Sequence, residues 1–441
     1  MKRLIFSIII FLCFIGVSQA ATHTVTTCSV PNVQAAITAA VAGDDIYLNC
    51  ASATWASAVT VNKGVHIYGN GSTSTTITAG GSSIFVINAA GGNYRISNMA
   101  FRGTTGSDIK VNGAWTTMRF DNINWQTGSA RAFWIGEMIT ADVLYSGLSR
   151  PHAKILIHDI TYAPTASGAG RPFALIHGRG HLAWQEPDGF GTDNFVFIED
   201  CTFNYTSYPG GYITDTERGG RFVLRYNTIL NAGAYMHDLG STPYARGNRA
   251  VEVYENTMTC NVGTAACSSI YGLNAVRGGT GVFYNNTLTG YSTYTWPMIF
   301  RVAYNTSFVG GGYCSQTGTR KVCQDVAKHC SGGSRDKRPC WDSSNCPGGT
   351  CGGYTCSANS DCLDAYGNTG LCMQIDGLGR TGSEVAGWPC RDQMGRGQDN
   401  PSTGAQESSP VYWWNNTVNG VSNKSLSVSG QYADYIKVNR D

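Results

Sequence analysis

The sequence predicts an all-β solenoid, a chain wound so that the short strands of one repeat stack on those of the next. The first observation is a recurring string. Residues 222–228, 251–257, 282–287, 302–306 and 411–417 each hold an apolar run followed by Asn-Thr. Weaker versions end at Asn98, Asn122, Asp159 and Asp200. From Asp200 through Asn227 and Asn256 to Asn286 the steps are 27, 29 and 30 residues. A β unit of that length cannot bury its apolar face alone and stacks on its neighbours. The second observation is composition. Glycine supplies 55 of 441 residues and charged residues only 14%, against usual values of ~7% and ~25%. That balance favours short strands and tight turns, and argues against coiled coils and charged disorder. The third is a single amphipathic segment near the start, suited to closing the open end of a stack.

The elements follow in order. Residues 1–20 read as a secretory signal: Lys2 and Arg3, an apolar run from Leu4 to Val17, then Ser18-Gln19-Ala20 before a cleavage point. The run is short for a membrane span. Loss of Lys2 and Arg3 takes the formal charge from +2 to 0, so nothing electrostatic points to nucleic acid as a partner. Val33, Ala36, Ile37 and Ala40 lie at helical spacing and predict a cap helix over 33–41, ending near Gly43. Strands are expected at 45–48, 59–61, 65–68, 75–79 and 84–88. In the Asn-Thr strings the Asn is expected to take the left-handed turn and to bond its counterpart in the next repeat. The sequons at Asn285 and Asn415 are discounted, because an Asn inside such a ladder is hard to reach.

Export permits disulfides. Cys28 and Cys50 flank the first helix-and-strand unit and are placed to pair, and Cys260 and Cys267 enclose a short loop. Cys201, in an apolar run, reads as a buried free thiol. Ten more crowd into 314–390: Cys314, Cys323, Cys330, Cys340, Cys346, Cys351, Cys356, Cys362, Cys372 and Cys390. Their spacing does not fix the pairing. They mark an insertion over 314–397 between the main body, 21–313, and a last coil with its tail, 398–441. Small disulfide knots are the expected reading, and zinc at His329 and Cys330 the weaker one.

The cap helix, the Gly43-Asp44 behind it and the Asn-Thr turns resemble the right-handed parallel β-helix family, the pectate-lyase-like fold, over about 21–308 and 410–420. A β-propeller or sandwich is the alternative. The resemblance implies that each coil runs strand, turn, strand, Asn turn, strand, with first strands near 211–215, 234–238 and 270–274. The turn after each first strand then carries a second repeat, Arg218 to Arg221, Arg246 to Arg249 and Arg277 to Thr280. Its leading arginines, 28 and 31 residues apart, are expected to stack as a ladder. Lyases of the fold remove the C5 proton of a uronate and expel the C4 oxygen, using Arg, Lys or His as base and Arg or Ca²⁺ at the carboxylate. Hydrolases of the fold use paired carboxylates.

On that basis His237, Asp238 and Arg246 are the catalytic candidates. Arg218, Arg221, Arg249, Arg277 and His177 are candidates for binding, with Trp184 and Tyr244 as flat faces for sugar rings. Asp188, Asp193 and Asp215 are weak candidates for Ca²⁺. Each group also has a structural reading: an Arg ladder bonds acids and turn carbonyls of adjacent coils, and His237 with Asp238 forms an ordinary hydrogen-bonding pair. The expected activity is polysaccharide lyase action on an acidic, uronate-containing polysaccharide or cell-surface glycan. The alternatives are a non-catalytic, adhesin-like glycan binder and a glycoside hydrolase. The expected location is extracellular, periplasmic or at the cell surface.

Overall fold

Short runs that alternate apolar and polar residues bury one side of most strands. The computed structural model describes residues 20–81, 83–89, 91–103, 107–113, 117–127, 131–136, 154–165, 172–178, 181–207, 209–217, 219–235, 248–261, 273–274, 279–291, 321–323, 328–340, 343–352, 356–363, 369, 372–374, 395–400, 406–422 and 436–438. The protein is all-β with parallel sheets, the two largest having twenty and eight strands.

One track of the larger sheet starts at Thr22–Val25, Asp45–Leu48 and His66–Gly69. It continues through the long strands Tyr94–Gly103, Thr117–Thr127 and Lys154–Pro164 to Val196–Glu199, Arg221–Arg225, Ala250–Tyr254, Thr280–Tyr284 and Val411–Trp414. Each pairs in parallel with the next. A second track in the same sheet begins at Ser52–Trp55 and Thr76–Ala79, shares the long strands, and resumes at Thr202–Asn204, Thr228–Leu230, Thr257–Thr259 and Thr287–Thr289.

The eight-stranded sheet comprises Val59–Val61, Phe85–Ala89, Ser107–Gly113, Arg131–Ile135, Pro172–His177, Gly211–Glu217, Ala232–Tyr235 and Leu273–Asn274, also parallel. Its last three strands fall where the sequence expects first strands.

Residues in register share a fate. The row from Ile46, Ile67 and Ile96 through Phe120 and Ile157 to Trp413 is buried throughout. Each such side chain contributes roughly 1.5–3 kcal/mol of hydrophobic stabilisation. A second inner column is aromatic: Trp55, Phe85, Phe101, Trp125, Phe133 and Phe173 meet edge to face at centroid distances of 4.9–6.1 Å.

The cap helix spans Val30–Ala39, three residues earlier than the pattern expects, because Ser29 and Pro31 supply a ready N-terminus. Val33 and Ile37 are fully buried against the first strands, whereas Val41 lies beyond the helix and is exposed.

The Asn ladder is real but sits one residue away from the bend. Asn227 donates its side-chain amide to Oδ1 of Asn256 at 2.9 Å, Asn256 to Asn286 at 2.9 Å, and Asn286 to Asn416 at 2.8 Å. The left-handed residues are the ones before them, Tyr226, Glu255, Asn285 and Asn415, in register with left-handed Asn98, Asn122, Asp159 and Asp200 of the earlier repeats. Hence the sequon residues Asn285 and Asn415 are exposed, contrary to the discount placed on them. In the string at 302–306, Asn305 lies outside the described residues, and Asn286 bonds Asn416, 130 residues on.

Cysteines join as Cys28–Cys50, Cys323–Cys362, Cys330–Cys346, Cys340–Cys351 and Cys356–Cys372, and Cys201 is free and buried. Cys260 is disulfide-bonded as well. Cys267, Cys314 and Cys390 lie outside the described residues. Among the described residues, the only close groups of three metal-ligating side chains are Cys323, Cys356 and Cys362, and Cys330, Cys340 and Cys346. All six sulfurs are consumed by disulfides, which removes the zinc reading there. No helix among the described residues is long and apolar enough to cross a membrane.

Candidate functional site

Alternation along the eight-stranded sheet decides what faces outward. Phe133 and Ile135, then Ala174 and Ile176, then Thr214 and Thr216 point inward and are buried. The residues between them form the outer face. One register row reads Val86, Lys110, Trp134, Leu175, Asp215. The next reads Asn88, Asn112, Gly136 and His177, with Glu217 as the partner of His177. At a strand spacing of ~4.8 Å, Lys110 and Asp215 are about 14 Å apart along the stack.

His177 sits deep in this face, 5% exposed, with the Trp134 ring edge-on at 5.8 Å. Gly136 makes room for it. A Cβ there would come within 2.6 Å of His177 Cβ, and its φ of +111° suits glycine alone. The guanidinium of Arg131 lies 5.3 Å from the Trp134 ring centre, within cation–π range. An imidazole, an indole, a carboxylate and an ammonium thus share the outer face of four adjacent strands, with the Arg131 guanidinium next to the indole.

The long loop after His177 opens with the short helix His181–Trp184 and is pinned by two arginines. Arg249 is wholly buried. It donates to the carbonyls of Ala183 at 3.2 Å and Glu186 at 2.8 Å, pairs with Asp188, and lies 5.2 Å from the Trp184 ring. Arg221 donates to Ala183 at 3.3 Å and Pro187 at 2.8 Å. Glu252 takes the amide of Gly191 at 2.9 Å, and burial raises its pKa above the ordinary carboxylate value. The segment 398–409 docks on the same loop: Ser409 donates to Asp188 at 2.5 Å, and Gln398 to the Gln185 carbonyl at 2.6 Å.

This placement corrects several expectations. Arg221 and Arg249 hold a loop from beneath and present no guanidinium to solvent. Trp184 is fully buried and offers no face to a sugar. Asp188 is taken by Arg249 and Ser409, and Asp193 pairs with Lys154 at the surface. Those two carboxylates do not converge with Asp215, on the outer face, into a Ca²⁺ site among the described residues. Arg218, His237, Asp238, Tyr244, Arg246 and Arg277 lie outside the described residues. Lys110, Arg131 and Trp134 escaped the sequence reading, although alternation within Arg131-Ala-Phe-Trp-Ile already turns Trp134 away from the core.

The outer face of the larger sheet is also polar, but its groups satisfy one another. Arg95 grips Asp121 through two bonds of 2.8 and 2.7 Å, and Arg119 adds a third at 3.0 Å. Arg225 bonds Glu199 at 2.5 Å and the Tyr254 hydroxyl at 2.7 Å. Tyr254, Tyr284 and Trp414 then stack ring on ring at 4.6 and 4.5 Å.

No family model and no curated protein matches the chain. Among solved structures, an alginate lyase from Paenibacillus sp. str. FPU-7 is 14% identical, with 61% of this chain and 95% of that one covered and a TM-score of 0.35. A Geobacillus virus E2 protein, ORF18, is 12% identical, with 62% and 56% covered and a TM-score of 0.30. Scores of this size assign neither fold nor activity.

Proposed function

We propose that the protein is a secreted, right-handed parallel β-helix that cleaves a uronate-bearing polysaccharide by β-elimination on the outer face of its eight-stranded sheet. Three tracks of parallel strands, each strand pairing with its counterpart one repeat later, support the architecture. The disulfides support an oxidising location. The observation that carries the activity is the shared face of Lys110, Trp134, His177 and Asp215.

β-Elimination needs what that face offers. A cation at the uronate carboxylate acidifies the C5 hydrogen, and a base removes the proton. The electron pair forms the C4–C5 double bond as the C4–O bond breaks, and the leaving oxygen gains a proton. Arg221 and Arg249 leave the set of carboxylate partners, since the loop engages them. His177 joins His237, Asp238 and Arg246 as a candidate for the base, and Arg218 and Arg277 stay candidates for the carboxylate.

The test is incubation of the mature protein with polygalacturonate and alginate, with and without Ca²⁺, recording both unsaturated-uronate absorbance and reducing ends. Both signals should rise for at least one polymer, and His177→Ala should lower the rate at least tenfold without moving the melting curve. Reducing ends without unsaturation would identify a hydrolase. Retention on a polymer with neither signal would identify a binding protein, and either result overturns the lyase reading.

A further inference from the structure

The geometry points to a subsite for the carboxylate of an acidic sugar at Lys110, Trp134 and Arg131, on the cationic end of the same outer face. The inference deepens the proposed function and rests on it. Lys110 and Trp134 are register partners on adjacent strands, so their Cα atoms stand about 4.8 Å apart. Both are half-buried. Lys110 has no hydrogen bond or ion pair among the described residues, although nearly every other cation of the sheets' outer faces has an acid or a carbonyl. The indole nitrogen of Trp134 is covered and also lacks an acceptor. Arg131 adds a second positive charge 5.3 Å from that ring.

Two donors without acceptors, side by side and backed by a guanidinium, suit one chemistry: a carboxylate on a ring whose apolar face lies on an aromatic. A neutral sugar would leave the ammonium unpaired. A free inorganic anion would leave the indole unused. The opposite end of the face carries Asp215, which repels a carboxylate and accepts from hydroxyls. The polymer is therefore placed along the stacking direction. A uronate lies over Lys110 and Trp134, and the bond to be cleaved lies nearer His177, two strands away from Lys110.

Affinity electrophoresis of the full chain through gels holding polygalacturonate, alginate or neutral dextran tests this without recourse to turnover. Wild type should be retarded by at least one polyuronate and not by dextran. Lys110→Glu should abolish the retardation, and Lys110→Arg should keep it. Trp134→Ala should weaken it about tenfold, the effect of losing one charge-assisted contact. Melting curves of the variants check that each is folded. If Lys110→Glu and Trp134→Ala are retarded like wild type, the subsite is wrong while the lyase reading stands. If wild type ignores every polyuronate in both the gel and the absorbance assay, the functional reading falls and the subsite falls with it.

Discussion

Asp108 is an acid in the wrong place, and replacing it with Asn should stabilise the protein at alkaline pH. It points into the core from Ser107–Gly113 and is fully buried. One carboxyl oxygen takes the indole N–H of Trp125 at 2.8 Å, and the other has no partner among the described residues. Gly103 presses on it so closely that a Cβ there would stand 2.1 Å from the carboxyl. Tyr162, buried and held neutral, is a titratable neighbour whose pKa the Asp108 charge helps to raise. Burial pushes the Asp108 pKa up from 3.8 to about 7, with the Trp125 bond pulling weakly the other way.

The sign of the effect follows. Between pH 4 and 7 the folded chain holds a proton that the unfolded chain has released, so stability is full below the unfolded pKa and is lost as pH rises through the folded one. The loss amounts to about 4 kcal/mol, or about 4 °C in Tm for a chain of this length. Asp108→Asn mimics the protonated acid. Its Tm should exceed that of wild type by only about 1.5 °C at pH 5 and by about 4 °C at pH 8.5, read by scanning calorimetry at matched ionic strength. Other titrating groups cancel in the difference between the two proteins. A difference that stays flat from pH 5 to 8.5 would refute the reasoning.

Two further predictions concern the scaffold. Arg249→Met keeps the aliphatic stem but removes the ion pair with Asp188 and one donor from each of two loop carbonyls. It should cost about 3–5 kcal/mol and open the 181–191 loop to limited proteolysis, whereas wild-type digestion and melting would mean that the clamp holds nothing. Glu255 carries a φ of +56° between Tyr226 and Asn285 in the turn series; Glu255→Asn should raise stability by ~0.5–1 kcal/mol in urea, and a loss would show that the turn is not strained.

What the sequence made legible was periodic. The Asn-Thr strings located the strands because four of the repeats bury the same amide, and Asn227, Asn256, Asn286 and Asn416 form one ladder. The bend itself was harder to place. Tyr226 and Glu255 occupy left-handed positions for which neither residue type is a signal, since stacking contacts override local preference. Long-range closure was also hidden. Nothing in the string at 302–306 shows that Asn286 will skip it for Asn416. The arginines at 221 and 249 were found by their spacing, but spacing reports stacking and not exposure; the loop that covers them comes from residues 181–191, which carry no repeat.

That distinction bears on where activity can lie. In a stacked chain the inward rows are committed to the core, and an outward row can be committed just as firmly to its neighbours. Arg95 with Asp121, Arg225 with Glu199 and Tyr254, and Arg249 with Asp188 are charged residues whose chemistry is spent within the fold. Counting cations or acids in a repeat therefore says little about a ligand. The informative residue is the outward polar group that the fold leaves unanswered. Lys110, which has no partner among the described residues, is such a group, and its neighbour in the register is the half-buried Trp134, edge-on to His177. An unpaired ammonium costs nothing in open water, but a half-buried one beside an indole gives up hydration without return unless something arrives to pair with it. That imbalance ties the subsite to the outer face of the eight-stranded sheet, and it is the reason the acidic sugar is placed there and not along the larger and more highly charged sheet.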